Sequence, residues 1–190
     1  MNRMLRFFSM VLMTVFLLAG LLANEADKKV TPTNKILVVY YSRTGNTERV
    51  AKDLASRLGA DSEKIIDTNK RTGFFGFMTS GKESVQKTPA HIRPMKSDFS
   101  AYDLVLIGTP VWAGDISSPV RAMLMEHKGS FKDIAVFATS GGDDPKNVLK
   151  TIEELAQRTA KAFVDFSRKD LQDKTAYESK IKLFISQIRE

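Results

Sequence analysis

Ile36-Leu37-Val38-Val39-Tyr40-Tyr41-Ser42-Arg43-Thr44-Gly45-Asn46-Thr47-Glu48 sets the architecture: an apolar run of strand character enters a small, hydroxyl-rich turn and leaves it as a helix. Such a continuous Val/Ile/Leu-rich run suits a strand buried on both faces. Helix N-termini leave their first backbone N–H groups unpaired and carry partial positive charge, so an anion set against this turn meets ready donors. Ser42, Thr44 and Thr47 add three hydroxyls. Gly45 allows φ > 0 and a close backbone approach, and Asn46 tolerates left-handed conformations. Arg43 can touch the anion or point into solvent. The plainer reading of the same residues is a strand-to-helix turn with a good N-cap.

Two familiar phosphate loops do not fit here. A dinucleotide site needs G-x-G-x-x-G and a nucleoside triphosphate site G-x-x-x-x-G-K-[ST], and neither spacing occurs at this turn. Gly76 to Glu83 comes one residue short of the second pattern, with Glu83 where a Mg²⁺-binding hydroxyl would stand and no buried strand feeding the loop.

Outward from the turn, short apolar runs alternate with amphipathic segments, which predicts an α/β fold. Strands are expected at Lys35 to Tyr41, Asp61 to Ile66, Leu104 to Gly108, Ile134 to Ala138 and Ala162 to Phe166. Helices are expected at Thr47 to Leu58, Pro119 to Glu126, Pro145 to Thr159 and Thr175 to Ile188. Val50, Leu54, Ala55 and Leu58 make one apolar stripe, and Gly59 closes that helix. Ser118 and Asp144 precede first-turn prolines as candidate caps. A Phe-rich excursion, Thr68 to Ser100, separates the second and third strands and includes a candidate helical turn near Val85.

Two further loops follow strands. Gly108-Thr109-Pro110-Val111-Trp112-Ala113-Gly114-Asp115 follows the third, and Thr139-Ser140-Gly141-Gly142-Asp143-Asp144-Pro145 the fourth. In a doubly wound sheet, ligands sit beyond the carboxyl ends of strands, where these loops lie. Trp112, the chain's one tryptophan, can lie against a flat aromatic ligand or pin the loop to the core. The Gly-Gly-Asp-Asp-Pro run by itself is ordinary turn and capping chemistry.

At 190 residues, 43% hydrophobic and 27% charged, the chain fits one compact domain. Residues 1–23 stand apart as a targeting segment: Arg3 and Arg6 precede the uncharged run Phe7 to Ala23, and a polar linker, residues 24–34, follows. This run is either a cleaved export signal or a retained membrane anchor. Without it the formal charge falls from +7 to about +5. Lys and Arg are spread without a dense patch or aromatic ladder, so nucleic acid is not an expected partner. Cysteine is absent, which removes disulfides, thiolate nucleophiles and Cys-ligated metals. His91 and His127 lie outside the three loops and make neither a metal site nor a catalytic pair.

The Ser-x-Thr-Gly-Asn-Thr turn, with Gly-Thr-Pro-Val-Trp-Ala-Gly after the third strand and the Gly-Gly loop after the fourth, resembles the single-domain flavodoxins over Lys35 to Glu190. The resemblance implies a doubly wound five-stranded parallel sheet of order 2-1-3-4-5 with flavin mononucleotide (FMN) as cofactor. Ser42, Arg43, Thr44, Gly45, Asn46 and Thr47 would hold the phosphate. Thr109, Pro110, Val111, Trp112, Ala113 and Gly114, with Thr139, Ser140, Gly141 and Gly142, would frame the flavin ring. A carbonyl in Ala113 to Gly114 is a candidate acceptor for the N5–H of reduced flavin, and Asp115, Asp143 and Asp144 could place negative charge near it.

The implied function is electron transfer between redox proteins, with acidic partners favoured by the basic surface. The alternative is an FMN-dependent NAD(P)H or quinone reductase of the same fold, with the Phe-rich excursion as a wall over the ring. A response-regulator receiver would need acidic residues where Ser42-Arg43 and Gly108-Thr109 stand; a flavin-free structural protein is the remaining reading. Many flavodoxins are acidic and cytoplasmic, whereas this chain is basic and carries an export segment. It is therefore expected outside the cytoplasm, in the periplasm or tethered to the membrane through residues 7–23.

Overall fold

The structure is a computed structural model and describes residues 34–68 and 87–189. Strand β1 (Ile36–Tyr40) leads to helix α1 (Asn46–Leu58) and strand β2 (Asp61–Lys64). After a 3₁₀ turn at Phe99–Ala101 come β3 (Leu104–Trp112), β4 (Asp115–Ile116), α2 (Ser118–Glu126) and β5 (Asp133–Thr139). The chain finishes with α3 (Val148–Ala156), β6 (Ala160–Phe166), α4 (Arg168–Gln172) and α5 (Lys174–Arg189).

Five parallel strands stand in the order β2-β1-β3-β5-β6, and β4 pairs antiparallel with the far end of β3. The expected order 2-1-3-4-5 therefore needs one correction in detail, since the sheet has a sixth strand. It arises because β3 does not stop at Gly108. It runs on to Trp112, pairing Thr109 and Pro110 with Ala138 and Thr139 of β5, and then folds back on itself.

The sheet separates two apolar layers by strand alternation. Leu37, Val39, Val105, Ile107, Ile134 and Val136 face one way, in a cluster with Val120, Met123 and Leu124 of α2 and Val148 and Ile152 of α3. Val38, Tyr40, Leu106, Ala135 and Phe137 face the other, with Val50 and Leu54 of α1 and Ile181 and Phe184 of α5. Each fully buried Leu, Ile or Phe contributes about 1.5–3 kcal/mol. Gly108 is fixed by this packing: the ring of Phe137, its partner across the strand pair, occupies the space a Cβ would take.

Four local expectations are revised. β2 is a polar, exposed edge strand that ends at Lys64; only Ile65 beyond it is buried, its N–H donating to the Tyr40 carbonyl at 2.8 Å. An edge strand has one neighbour and need not be apolar. Helix α2 begins at Ser118 with Ser117 at its N-cap, so Pro119 keeps a first-turn place. Helix α3 begins at Val148, not Pro145: Asn147 is the N-cap, and the Val148 N–H closes a turn onto the Pro145 carbonyl at 3.0 Å. Helix α4 was not expected; Ser167 and Asp170 build a capping box that starts it. By contrast α1 ends at Gly59 in the left-handed conformation, its N–H donating to the Ala55 carbonyl.

Within the excursion, Asp67 bridges Ile92, and the Glu63 carboxylate accepts the Lys96 and Ser97 N–H groups at 2.7 and 2.9 Å. Burial opposes the Glu63 charge, yet these donors hold its pKa below the usual carboxylate value. The turn expected near Val85, the Gly76 to Glu83 run and the apolar run Phe7 to Ala23 lie outside the described residues. No helix among the described residues is long and apolar enough to cross a membrane.

Candidate cofactor site

Beyond the carboxyl ends of β1, β3 and β5 lies a cavity of about 400 Å³, within the usual size for an organic ligand. All three loops contribute to its wall. Arg43, Thr44, Asn46 and Thr47 come from the first, Pro110, Val111, Trp112 and Ala113 from the second, and Thr139, Ser140 and Gly141 from the third. Asp143 and Arg168 complete it. Of the residues expected at the site, Ser42, Gly45, Thr109, Gly114 and Gly142 stand behind or beside this wall.

The first loop is shaped by its own residues. Ser42 is buried and its Oγ accepts the Gly45 N–H at 3.1 Å, which closes the turn. Gly45 takes φ 96° as the N-cap of α1, and its carbonyl receives the Arg49 N–H at 2.9 Å. No side chain caps this helix N-terminus. Its first-turn donors are therefore left for an anion, with Asn46 and Thr47 on the cavity wall. Thr47 is only 1% exposed, and its hydroxyl bonds that of Thr139 at 2.8 Å, joining the first loop to the third.

Glu48, in the first turn of α1, is held well away from neutralisation. Hydrogen bonds from Lys52 and Lys64 lower its pKa to about 2. Its charge is thereby balanced by two ammonium groups at the same helix end.

The second loop is a strand hairpin. Trp112 and Asp115 pair, and the two residues between them, Ala113 at φ 51° and Gly114 at φ 78°, both take left-handed conformations. Two positive φ values are the pattern of a type I′ turn, whose twist matches that of the strands. Thr109 is wholly buried beneath it: its Oγ accepts the Ser117 N–H at 3.1 Å and donates to the Pro110 carbonyl at 2.9 Å. The Gly114 carbonyl accepts the Asn147 N–H at 3.1 Å, tying the hairpin to the approach of α3. That bond engages one of the two carbonyls considered for the flavin N5–H. Trp112 both lines and anchors: it forms part of the cavity wall while its ring meets Tyr41 edge-on, 5.7 Å between centroids.

Behind the hairpin sits a buried ion pair with no sequence signature. Asp115 Oδ2 accepts from Arg121 Nη2 at 2.7 Å, and its Oδ1 accepts the Ile116 N–H at 2.7 Å. Arg121 is 4% exposed, and its Nε has no hydrogen-bond partner. Asp115 is thus committed to holding the hairpin onto α2. Asp143, not Asp115, is the carboxylate on the cavity wall among the described residues.

In the third loop, Thr139 and Ser140 are buried, and the Ser140 N–H donates to the Phe166 carbonyl of β6 at 2.9 Å. Arg168, just past β6, was missed by sequence reasoning, because nothing in its neighbourhood marks a site. Neither His91 nor His127 lines the cavity, and His127 packs on Phe99 at 4.7 Å between ring centroids. No group of three or more His, Asp or Glu side chains suited to a metal occurs among the described residues.

Sequence comparison agrees with this architecture. The family model for flavodoxin matches residues 35–184, and the chain belongs to the flavodoxin family. Among solved structures it is similar to a flavoprotein from Lactobacillus acidophilus in complex with FMN, at 23% identity and a TM-score of 0.61, over 73% of this chain and 97% of that one. It is also similar to oxidised flavodoxin 1 from Bacillus cereus, at 20% identity and a TM-score of 0.51, over 82% of this chain and 98% of that one. No curated protein matches the sequence.

Proposed function

We propose that this protein binds FMN in the cavity beyond β1, β3 and β5 and carries electrons between redox proteins outside the cytoplasm. FMN is the cofactor the site fits. The observation that carries the reading is one cavity of about 400 Å³ bounded on one side by the uncapped N-terminus of α1 and on another by Trp112. The first suits a phosphate and the second a flat, aromatic ring.

FMN, when bound, supplies the electron chemistry, and the protein contributes binding, orientation and electrostatics. Thr44, Asn46 and Thr47 would hold the phosphate through backbone N–H groups and hydroxyls. Pro110, Val111, Trp112 and Ala113 would border the ring on one side and Ser140 and Gly141 on the other, limiting the access of water. With Thr47 bonded to Thr139, the phosphate and ring ends of the site are coupled through one hydroxyl pair.

The apolar run Phe7 to Ala23, with Arg3 and Arg6 before it, supports export, either as a cleaved signal or as a retained anchor. The basic balance of the remaining chain would steer it toward acidic redox partners, an attraction that added salt would screen.

The test is titration of the folded protein with FMN, followed by flavin fluorescence and visible absorption. Saturable one-to-one binding is expected, with slow NAD(P)H and quinone turnover in the steady state. No binding to folded protein would overturn the FMN reading. Rapid turnover would replace the carrier by a reductase, and finding the protein only in the cytoplasm by fractionation would overturn the location.

A further inference from the structure

A phosphate monoester carries roughly −1.5 to −2 charges at neutral pH, whereas a helix N-terminus offers the equivalent of about half a positive charge. The turn at Ser42 to Thr47 contains no lysine and one arginine, Arg43, which also lines the cavity, so a dianionic phosphate leaves charge for a second cation. Arg168 is placed to be one. It lines the same cavity as Thr44, Asn46 and Thr47 although it lies on the far side of the fifth and sixth strands in sequence.

Its position is set by several bonds around it. The capping box of Ser167 and Asp170 fixes the turn that carries Arg168. Lys180 Nζ donates to Asp170 at 2.9 Å and to the Asp165 carbonyl at 2.8 Å, holding both ends of that turn on α5. Arg49 Nη1 of α1 donates to the Leu171 carbonyl at 2.8 Å, which docks α4 against the helix whose N-terminus opens on the cavity. The guanidinium itself stands 3.7 Å from the place a Cβ would take at Gly141, on the cavity wall. No hydrogen bond or ion pair joins Arg168 to a carboxylate among the described residues, Asp143 on the same wall included.

We infer that the Arg168 guanidinium binds the phosphate of FMN together with the N-terminus of α1, so that the site selects FMN over riboflavin by charge. This rests on the FMN reading above. A planar guanidinium matches phosphate oxygens by paired hydrogen bonds, which an ammonium cannot reproduce.

The experiment is fluorescence titration of the parent protein, Arg168→Met and Arg168→Lys with FMN and with riboflavin, at low and at high salt. Arg168→Met is expected to weaken FMN about tenfold at low salt and to leave riboflavin unchanged within about twofold, so that the FMN preference shrinks. Arg168→Lys should restore part of the preference, and the gap between parent and Arg168→Met should narrow as salt rises. Urea unfolding of the flavin-free proteins should coincide, because the side chain is exposed and its substitution leaves the capping box intact. Equal weakening of FMN and riboflavin, or unchanged FMN affinity, would overturn the role of Arg168 while leaving FMN binding in place. A folded parent that binds no FMN would overturn the reading beneath it as well.

Discussion

The turn after β1 and the hairpin after β3 border one cavity, yet they are built in opposite ways. The first is made within eight residues: Ser42 accepts the Gly45 N–H, Gly45 takes the positive φ, and its carbonyl starts α1 by accepting the Arg49 N–H. The second is assembled from distant parts. Arg121 on α2 neutralises Asp115, Asn147 before α3 grips Gly114, and Thr109 bonds Ser117 from beneath. Local chemistry suffices where the backbone donors of a helix N-terminus are to be left open. A hairpin that forms one wall of a cavity needs support from behind, and here that support is a buried charge pair.

The largest effect should come from removing that support. Arg121→Met leaves Asp115 buried and unpaired and is expected to cost about 3–5 kcal/mol of stability, measured by urea unfolding. Arg121→Met with Asp115→Leu should recover most of the loss, since an apolar pair of similar volume replaces a buried ion pair at little cost. Full stability in the single variant would mean that the hairpin is as self-sufficient as the turn.

Gly45→Ala should cost about 1–2 kcal/mol, read by the same unfolding curves, together with weaker FMN binding. A Cβ there meets nothing within 4 Å, so the whole penalty comes from φ 96°. In the hairpin, Ala113→Gly should act in the opposite direction. Relief of the left-handed alanine at φ 51° outweighs the added freedom of the unfolded chain, and a gain of about 0.5–1 kcal/mol is expected. A loss would show that the Ala113 methyl packs usefully against the wall.

The mildest effect concerns acid. The folded pKa of Glu48, about 2, lies below its unfolded value of about 4.3. Its contribution is therefore complete above the unfolded value and fades as the pH falls from there toward 2. Lys52→Met with Lys64→Met should flatten that part of the stability profile, followed by thermal unfolding at stepped pH. An unchanged profile would show that the two lysines are spectators.

Much of this was legible beforehand because it is local. Alternating apolar runs placed β1, β3, β5 and β6 and the major helices, and Gly59 marked the end of α1 as a left-handed closing residue must. Where neighbours override local preference, the reading slipped. Gly108 looks like the end of a strand, but β5 offers partners to Thr109 and Pro110, so β3 continues. Pro145 looks like a helix start, but the Asn147 N–H is drawn to Gly114 and the helix begins later. β2 looked apolar because Ile65 and Ile66 follow it, while the pairing itself uses Asp61 to Lys64.

Periodicity and turn chemistry were enough to specify an α/β sheet with three loops at one end, because strand alternation, helix stripes and glycine conformations are properties of neighbouring residues. Folding was needed to bring Arg121 to Asp115, Thr47 to Thr139 and Arg168 to the cavity that Asn46 and Thr47 also line. Those pairings join residues from separate elements, and their energies depend on burial and distance, which exist only once the sheet has closed over its two cores.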